Sequence, residues 1–287
     1  MKVKKLTITD TAYPSLLRKL PSPPEQLYTL GAAPNDILER PRVAIVGSRG
    51  VSAYGQQVTA TLAGELAARG IVVISGLALG VDGIAHQAAL QTGGTTVAVL
   101  PCGLDQVYPA THTQLAKRIL EQGGALYSEY DPGMPGLKQN FIARNRIVSG
   151  LADALLITEA TEKSGTMHTA RFALEQGKDV LAVPGNITSP NSVGTNNLIK
   201  TGATPVTSVE DILFVLGAKH LPAEPVKRRG DNAEEQIVLD LLYQGMHDGH
   251  ELLVGSRLPA DLFTQTLTML EISGKIRALG NNHWGLK

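Results

Sequence analysis

Four groups of residues in this chain of 287 have types and spacing that could do chemistry. The first is Gly47-Ser48-Arg49-Gly50, directly after the apolar run Val43–Val46. A loop that leaves such a run and opens a helix presents backbone N–H groups to an anion. Arg49 adds a planar cationic fork there. A solvated arginine on a glycine turn fits equally well. The second group is Lys138-Gln-Asn-Phe141-Ile-Ala-Arg144-Asn145-Arg146. Its cations are expected near a helix N-terminus, where phosphate is favoured, and an aromatic among cations can stack a base. The competing account puts Phe141 and Ile142 in the core and pairs the arginines with Asp153 or Glu159. The third is Ser164-Gly165-Thr166, where Ser164 or Thr166 can cap a helix whose free N–H groups form a second anion seat. The fourth is Asp82 and His86, four residues apart. They could form an acid–base pair, but a capping aspartate and a packed histidine are the preferred reading.

The usual nucleotide signatures fail. Gly47-Ser-Arg-Gly50 lacks the second glycine of G-x-G-x-x-G, and the next strand ends at Ser75, not at a ribose-binding acid. No Walker loop is present, so neither a dinucleotide cofactor nor NTP hydrolysis is expected. Cys102 is the single cysteine, which excludes a disulfide framework and a cysteine zinc site, and no metal is expected. No apolar run approaches a membrane span and no signal peptide is read at the N-terminus, so a cytoplasmic location is expected. Formal net charge is zero, so a nucleic acid must be held by a local basic patch.

The elements that must position these groups alternate. Strands are predicted at 43–46, 72–74, 96–100, 125–128, 154–157, 180–183 and 204–206. Helical segments lie between them, including 56–69, 81–92 and 141–150. Repeated βα units give right-handed crossovers and a doubly wound, mostly parallel α/β sheet. Its ligands belong beyond the carboxyl ends of the strands, where loops rich in Gly and Pro form one rim. Residues 1–40, punctuated by Pro14 and Leu20-Pro-Ser-Pro-Pro24, are expected as an arm packed on the main domain of 41–218. Residues 219–232 read as a linker containing Lys227-Arg228-Arg229. Residues 233–287 read as three helices and a hairpin, a small winged-helix domain. Its third helix, 259–273, has no Lys or Arg and carries Asp261 and Glu271. Acidic side chains outnumber its four basic ones, which repels a phosphate backbone, so the module is read as a protein-interaction or structural unit.

The motifs, taken in order, resemble those of the DNA processing protein A (DprA/Smf) family. They include Val46-Gly-Ser-Arg49, Ser75-Gly-Leu-Ala-x-Gly-Val-Asp82-Gly-Ile-Ala-His86 and Asn140-Phe-x-x-Arg-Asn-Arg-Ile147. Glu159-Ala-x-x-x-Ser-Gly-Thr166, Val183-Pro-Gly185 and Leu198-Ile-Lys-x-Gly-Ala203 continue the match, which runs from about Tyr13 to Leu216. The resemblance implies an extended Rossmann-like fold that binds single-stranded DNA without catalysis. It further implies protection of incoming strands in natural transformation, loading of the recombinase RecA, and a homodimer. It places Gly47, Ser48 and Arg49 on phosphates. Lys138, Arg144, Asn145 and Arg146 would lie along the basic path, Phe141 under a base, and Gly165 and Thr166 as backbone donors.

Three positions depart from the family pattern: Leu79, Ala110 and Ala143 stand where basic residues are common. Each lost phosphate contact flattens the salt dependence by roughly 0.7 in slope, unless Lys117, Arg118 or the linker compensates. The rival is a phosphoribohydrolase of a related Rossmann group, whose catalytic glutamate lies three residues after Gly-Thr. Here Thr169 occupies that position, so the general acid/base is missing.

Overall fold

The computed structural model describes residues 2–217, 230–280 and 282–286. The chain divides into two compact units, Met1–Glu224 and Pro225–Lys287. The first contains β1 (Lys4–Thr7), α1 (Ser15–Arg18), β2 (Gln26–Gly31), α2 (Pro34–Leu38), β3 (Arg42–Val46), α3 (Ala53–Ala68), β4 (Val72–Ser75), α4 (Val81–Gln91) and β5 (Thr96–Val99). It continues with α5 (Thr113–Glu121), β6 (Ala125–Ser128), α6 (Lys138–Gly150), β7 (Ala154–Ile157), α7 (Thr166–Glu175), β8 (Asp179–Ala182), α8 (Val193–Lys200), β9 (Thr204–Pro205) and α9 (Val209–Val215).

The strands form one sheet in the order β1-β2-β6-β5-β4-β3-β7-β8-β9. From β6 to β9 all pairings are parallel. The central strands are mostly apolar and buried because both faces are covered. On β3 the alternation is explicit. Val43 and Ile45 face a core with Leu62 and Leu66 of α3 and Ala85 of α4, whereas Ala44 and Val46 face Ile147 and Val148 of α6 and Ala173 of α7. The chain winds outward from β3 through β4, β5 and β6, then returns to place β7 on the other side of β3. The crevice between diverging loops therefore opens at the carboxyl ends of β3 and β7.

Two expectations are corrected. Residues 1–40 are not an arm lying on a finished domain. β2 pairs antiparallel with β6, and β1 with β2, so this segment supplies the sheet's antiparallel edge. Buried Tyr13, Leu17, Leu20 and Leu27 fix it in the core. Second, α6 begins at Lys138, not at Phe141. Arg144 and Arg146 thus lie about two turns into the helix, beyond the reach of its N-terminal N–H groups.

The second unit holds α10 (Ala233–Tyr243), α11 (Gly249–Ser256) and α12 (Ala260–Ile272), then the antiparallel hairpin of β10 (Ile276–Gly280) and β11 (His283–Leu286). Val238, Leu242, Leu252, Phe263, Leu270 and Ile276 form its core. Asn232 caps α10, and Lys275 Nζ pairs with Asp231 and Glu235 at 2.8 Å each, so residues 231–232 belong to this unit. Residues 219–229 of the expected linker, including Lys227-Arg228-Arg229, lie outside the described residues, and Gly230 N donates to Gln236 Oε1 at 2.9 Å. Among the described residues no helix is long and apolar enough to cross a membrane.

Ile45 is fully buried at the centre of the sheet. Ile45→Ala is expected to cost about 2–5 kcal/mol of stability, measured by urea unfolding of the first unit, through lost contacts and a residual cavity.

Candidate nucleic-acid interface

The loop after β3 is fixed by the neighbouring strand ends. Ser48 N donates to Glu159 O at 2.8 Å, and Val81 N donates to Ser48 O at 3.2 Å. Asn191 Nδ2 donates to Gly50 O at 3.0 Å. Glu159, only 2% exposed, closes the far end: its carboxylate accepts from Ser52 Oγ at 2.6 Å and Ser52 N at 2.8 Å. Gly80, at φ +77°, presses on the same loop, and a Cβ there would sit 2.3 Å from Ser48 O and 2.7 Å from Arg49 O. Only glycine takes both that conformation and that approach.

This clamp leaves Gly50 and the Arg49 side chain at the surface. The Arg49 guanidinium carbon stands 5.4 Å from the centre of the Phe141 ring, within cation–π range. Phe141 also meets Tyr108, edge to face at 4.9 Å and 76°. Tyr108 is 49% exposed. Three side chains from the β3 loop, the β5 loop and α6 thus converge on one corner. It offers aromatic faces for a base and a cationic fork for a phosphate.

Arg144 does not join that surface. It is 3% exposed and its Nη1 donates to Gly76 O at 2.6 Å and also to Val99 O. Its guanidinium faces Asp82, whose Oδ2 accepts from Gly76 N at 3.1 Å and Ala78 N at 3.3 Å. A Cβ on Gly76 would fall 2.5 Å from Arg144 Nη2 and 2.7 Å from Asp82 Oδ2, so only glycine fits beside both groups. Burial lowers the Arg144 pKa to about 10, with Asp82 opposing that shift, so the guanidinium stays charged at neutral pH. Burial likewise raises the Asp82 pKa, while Arg144 draws it back down. The expected phosphate contact of Arg144 is therefore replaced by a structural one: it ties α6 to the ends of β4 and β5. Asn145 Oδ1 accepts from Arg144 Nε at 3.2 Å.

Arg146 is also engaged elsewhere. It forms a two-pronged pair with Glu129 at 2.7 and 2.6 Å and donates to Ser22 O at 3.0 Å. The arginines do not pair with Asp153 or Glu159: Arg146 pairs with Glu129, the charge of Asp82 acts on Arg144, and Asp153 is taken by Arg42 at 2.5 Å. Lys138 is exposed at the first turn of α6. Gly165 and Thr166 open α7 beyond β7, the strand beside β3. Gly165 is exposed, Thr166 is buried, and no side chain caps the helix, contrary to the expectation for Ser164 or Thr166. Asp82 and His86 form no acid–base pair. Thr96 Oγ1 donates to Val73 O, so His86 Nδ1–H donates to Thr96 Oγ1 at 2.6 Å as a packed core histidine.

Sequence reasoning missed two contributors. Tyr108 carries no signature beyond its place ahead of Pro109. Glu159 is expected only as an arginine partner, and its bonds to Ser52 have no signature in spacing.

Two outcomes follow for stability. Arg144→Ala leaves the Asp82 carboxylate buried without its cation and is expected to cost about 3–5 kcal/mol, whereas Arg49→Ala at the surface stays within about 0.5 kcal/mol, both by urea unfolding. Burial pushes the His86 pKa from 6.5 to about 3. Between those values the unfolded chain holds the extra proton. Stability therefore falls as pH drops through that window, by about 1.4 kcal/mol per unit, and His86→Gln should flatten the slope of unfolding free energy against pH.

The family model for DNA recombination-mediator protein A matches residues 4–217. Protein Smf of Escherichia coli K12 is 46% identical over 256 residues, covering 86% of this chain and 68% of its own length. A crystal structure of DNA processing protein A from Streptococcus pneumoniae superposes with a TM-score of 0.70 at 40% identity, covering 75% of this chain and 74% of that one. A Helicobacter pylori structure, described as showing a single-stranded DNA binding mode of DNA processing protein A, superposes at 0.68 and 36% identity, covering 75% of this chain and 96% of that one. The chain belongs to the DNA recombination-mediator protein A family.

Proposed function

We propose that this protein binds single-stranded DNA across the carboxyl edge of its sheet, as a DNA-processing protein that performs no chemistry on the strand. The observation that carries the reading is the corner made by Arg49, Phe141 and Tyr108. Stacking on aromatic faces with a cation at the backbone suits any base, which a sequence-tolerant binder needs. The Helicobacter pylori relative, whose structure is described as binding single-stranded DNA, supports the same ligand.

Within this reading Arg49 holds a phosphate, with Gly47 and Ser48 shaping its loop. Phe141 and Tyr108 take a base. Lys138 extends the cationic path at the surface, and Gly165 and Thr166 offer backbone donors at the start of α7. Arg144, Asn145 and Arg146 act from beneath, by holding α6 and the strand ends in place. Thr169, where the hydrolase group has its glutamate, is 1% exposed, which favours binding over catalysis. Protection of incoming strands in transformation, delivery to the recombinase RecA and a homodimer are the roles the family resemblance adds. We read the second unit as a winged helix that does not hold DNA, because α12 carries Asp261 and Glu271 and no cation.

Fluorescence anisotropy with a labelled oligonucleotide tests this. Phe141→Ala is expected to weaken binding by about 1–3 kcal/mol, the cost of one lost stack. Arg49→Ala is expected to weaken it and to reduce the salt slope by about 0.7. Removal of residues 231–287 should leave the affinity unchanged. Wild-type affinity in both point variants would refute the proposal.

A further inference from the structure

A second feature lies on the other side of the Arg49 loop from the aromatic corner. A cleft of about 530 Å³ opens where the loops of β3, β7 and β8 meet, lined in part by Ser52, Tyr54, Glu159, Pro184, Gly185 and Asn186. This is where the strand order reverses, between β3 and β7, the place in a doubly wound sheet where ligands enter. Its size falls within the range of small-ligand sites.

The walls are built. Tyr54 Oη donates to Pro184 O at 2.8 Å across the cleft, and the residue remains 47% exposed. Asn196 brackets Gly185: its Nδ2 donates to Gly185 O at 3.0 Å and its Oδ1 accepts from Gly185 N at 3.2 Å. Asn186 Oδ1 accepts from Thr188 N at 3.0 Å and Thr188 Oγ1 at 2.9 Å, which leaves the Asn186 amide N–H₂ free to donate at the surface. The floor is the buried Glu159 carboxylate, which accepts from Ser52 N and Oγ and from Asn191 Nδ2.

The charge decides the ligand class. No Lys or Arg lines the cleft, and its one ionisable floor group is a carboxylate, so a phosphate is disfavoured here. An aromatic wall with neutral polar groups around it suits a nucleobase and its sugar. A phosphate seat is nonetheless close: Ser52 is three residues from Arg49, at most about 11 Å of chain. We infer that this cleft is a second base subsite, taking a base of the same single strand whose backbone lies on Arg49, with Tyr54 as its stacking wall. The inference rests on the single-stranded DNA reading above.

The test uses the full chain and an oligothymidylate carrying one 5-iododeoxyuridine at successive positions, irradiated and mapped by mass spectrometry. The expected result is cross-links at Tyr54 as well as at Tyr108 or Phe141. In parallel titrations, Tyr54→Ala should weaken oligonucleotide binding about 5-fold to 100-fold, the range for one stacked base, while Tyr54→Phe binds as wild type. A purely structural role through the bond to Pro184 would instead make Tyr54→Phe behave like Tyr54→Ala. Cross-links confined to Tyr108 and Phe141, with wild-type affinity in Tyr54→Ala, would overturn the subsite and leave the strand-binding reading intact. Absence of binding altogether would overturn both. Competition by thymidine monophosphate at concentrations equal to the oligonucleotide would assign the cleft to a free nucleotide and overturn the strand assignment.

Discussion

The site depends on one buried guanidinium. Arg144 reaches from the middle of α6 to the carbonyls of Gly76 and Val99 and lies against Asp82. Those contacts join the ends of β4 and β5 to the helix that carries Phe141. A buried charge is tolerated only when paired and hydrogen-bonded, and here the partners are also the loop atoms whose position matters. Asp82 in turn accepts from Gly76 and Ala78, and so shapes the turn that leads to Gly80. Gly80 packs on Ser48 and Arg49. A chain of close contacts therefore runs from Arg144 to the exposed Arg49 side chain through residues that are buried or half-buried.

This arrangement separates two kinds of arginine that look alike in sequence. Arg144 and Arg146 spend their charge inside the protein, on Asp82 and Glu129, and give rigidity. Arg49 is exposed and stands over an aromatic ring. With net charge zero and few free cations on this rim, affinity must lean on stacking and shape more than on a broad electrostatic field.

The central strands were legible because a fully covered parallel strand is apolar on both faces, and Val43–Val46, short, rich in β-branched residues and followed by a glycine loop, fits that pattern. Of the edge strands, Leu27–Gly31 reads as a short strand, but its place beside β6 and the whole of β1 do not, because Lys4–Thr7 has no apolar pattern and both are placed by pairing with distant residues. Arg49 and Phe141 could be named from motif and residue type. That Arg144 lies beneath them could not, because helical spacing says which residues share a face but not whether that face meets solvent or a strand end. Tyr108 escaped for a related reason: its partner Phe141 is 33 residues away and meets it only through the sheet.

The central claim is that the β3 loop and α6 act as one binding surface, and a double-mutant cycle between Arg49 and Phe141 tests it most directly. Single-stranded DNA affinity is measured for the wild type, Arg49→Ala, Phe141→Ala and the double variant at one salt concentration. Residues that share a ligand and touch each other should couple by about 0.5–3 kcal/mol, so the double variant should lose measurably less than the two single losses combined. Strict additivity, with each single variant clearly weakened, would show two independent contacts and contradict a shared surface.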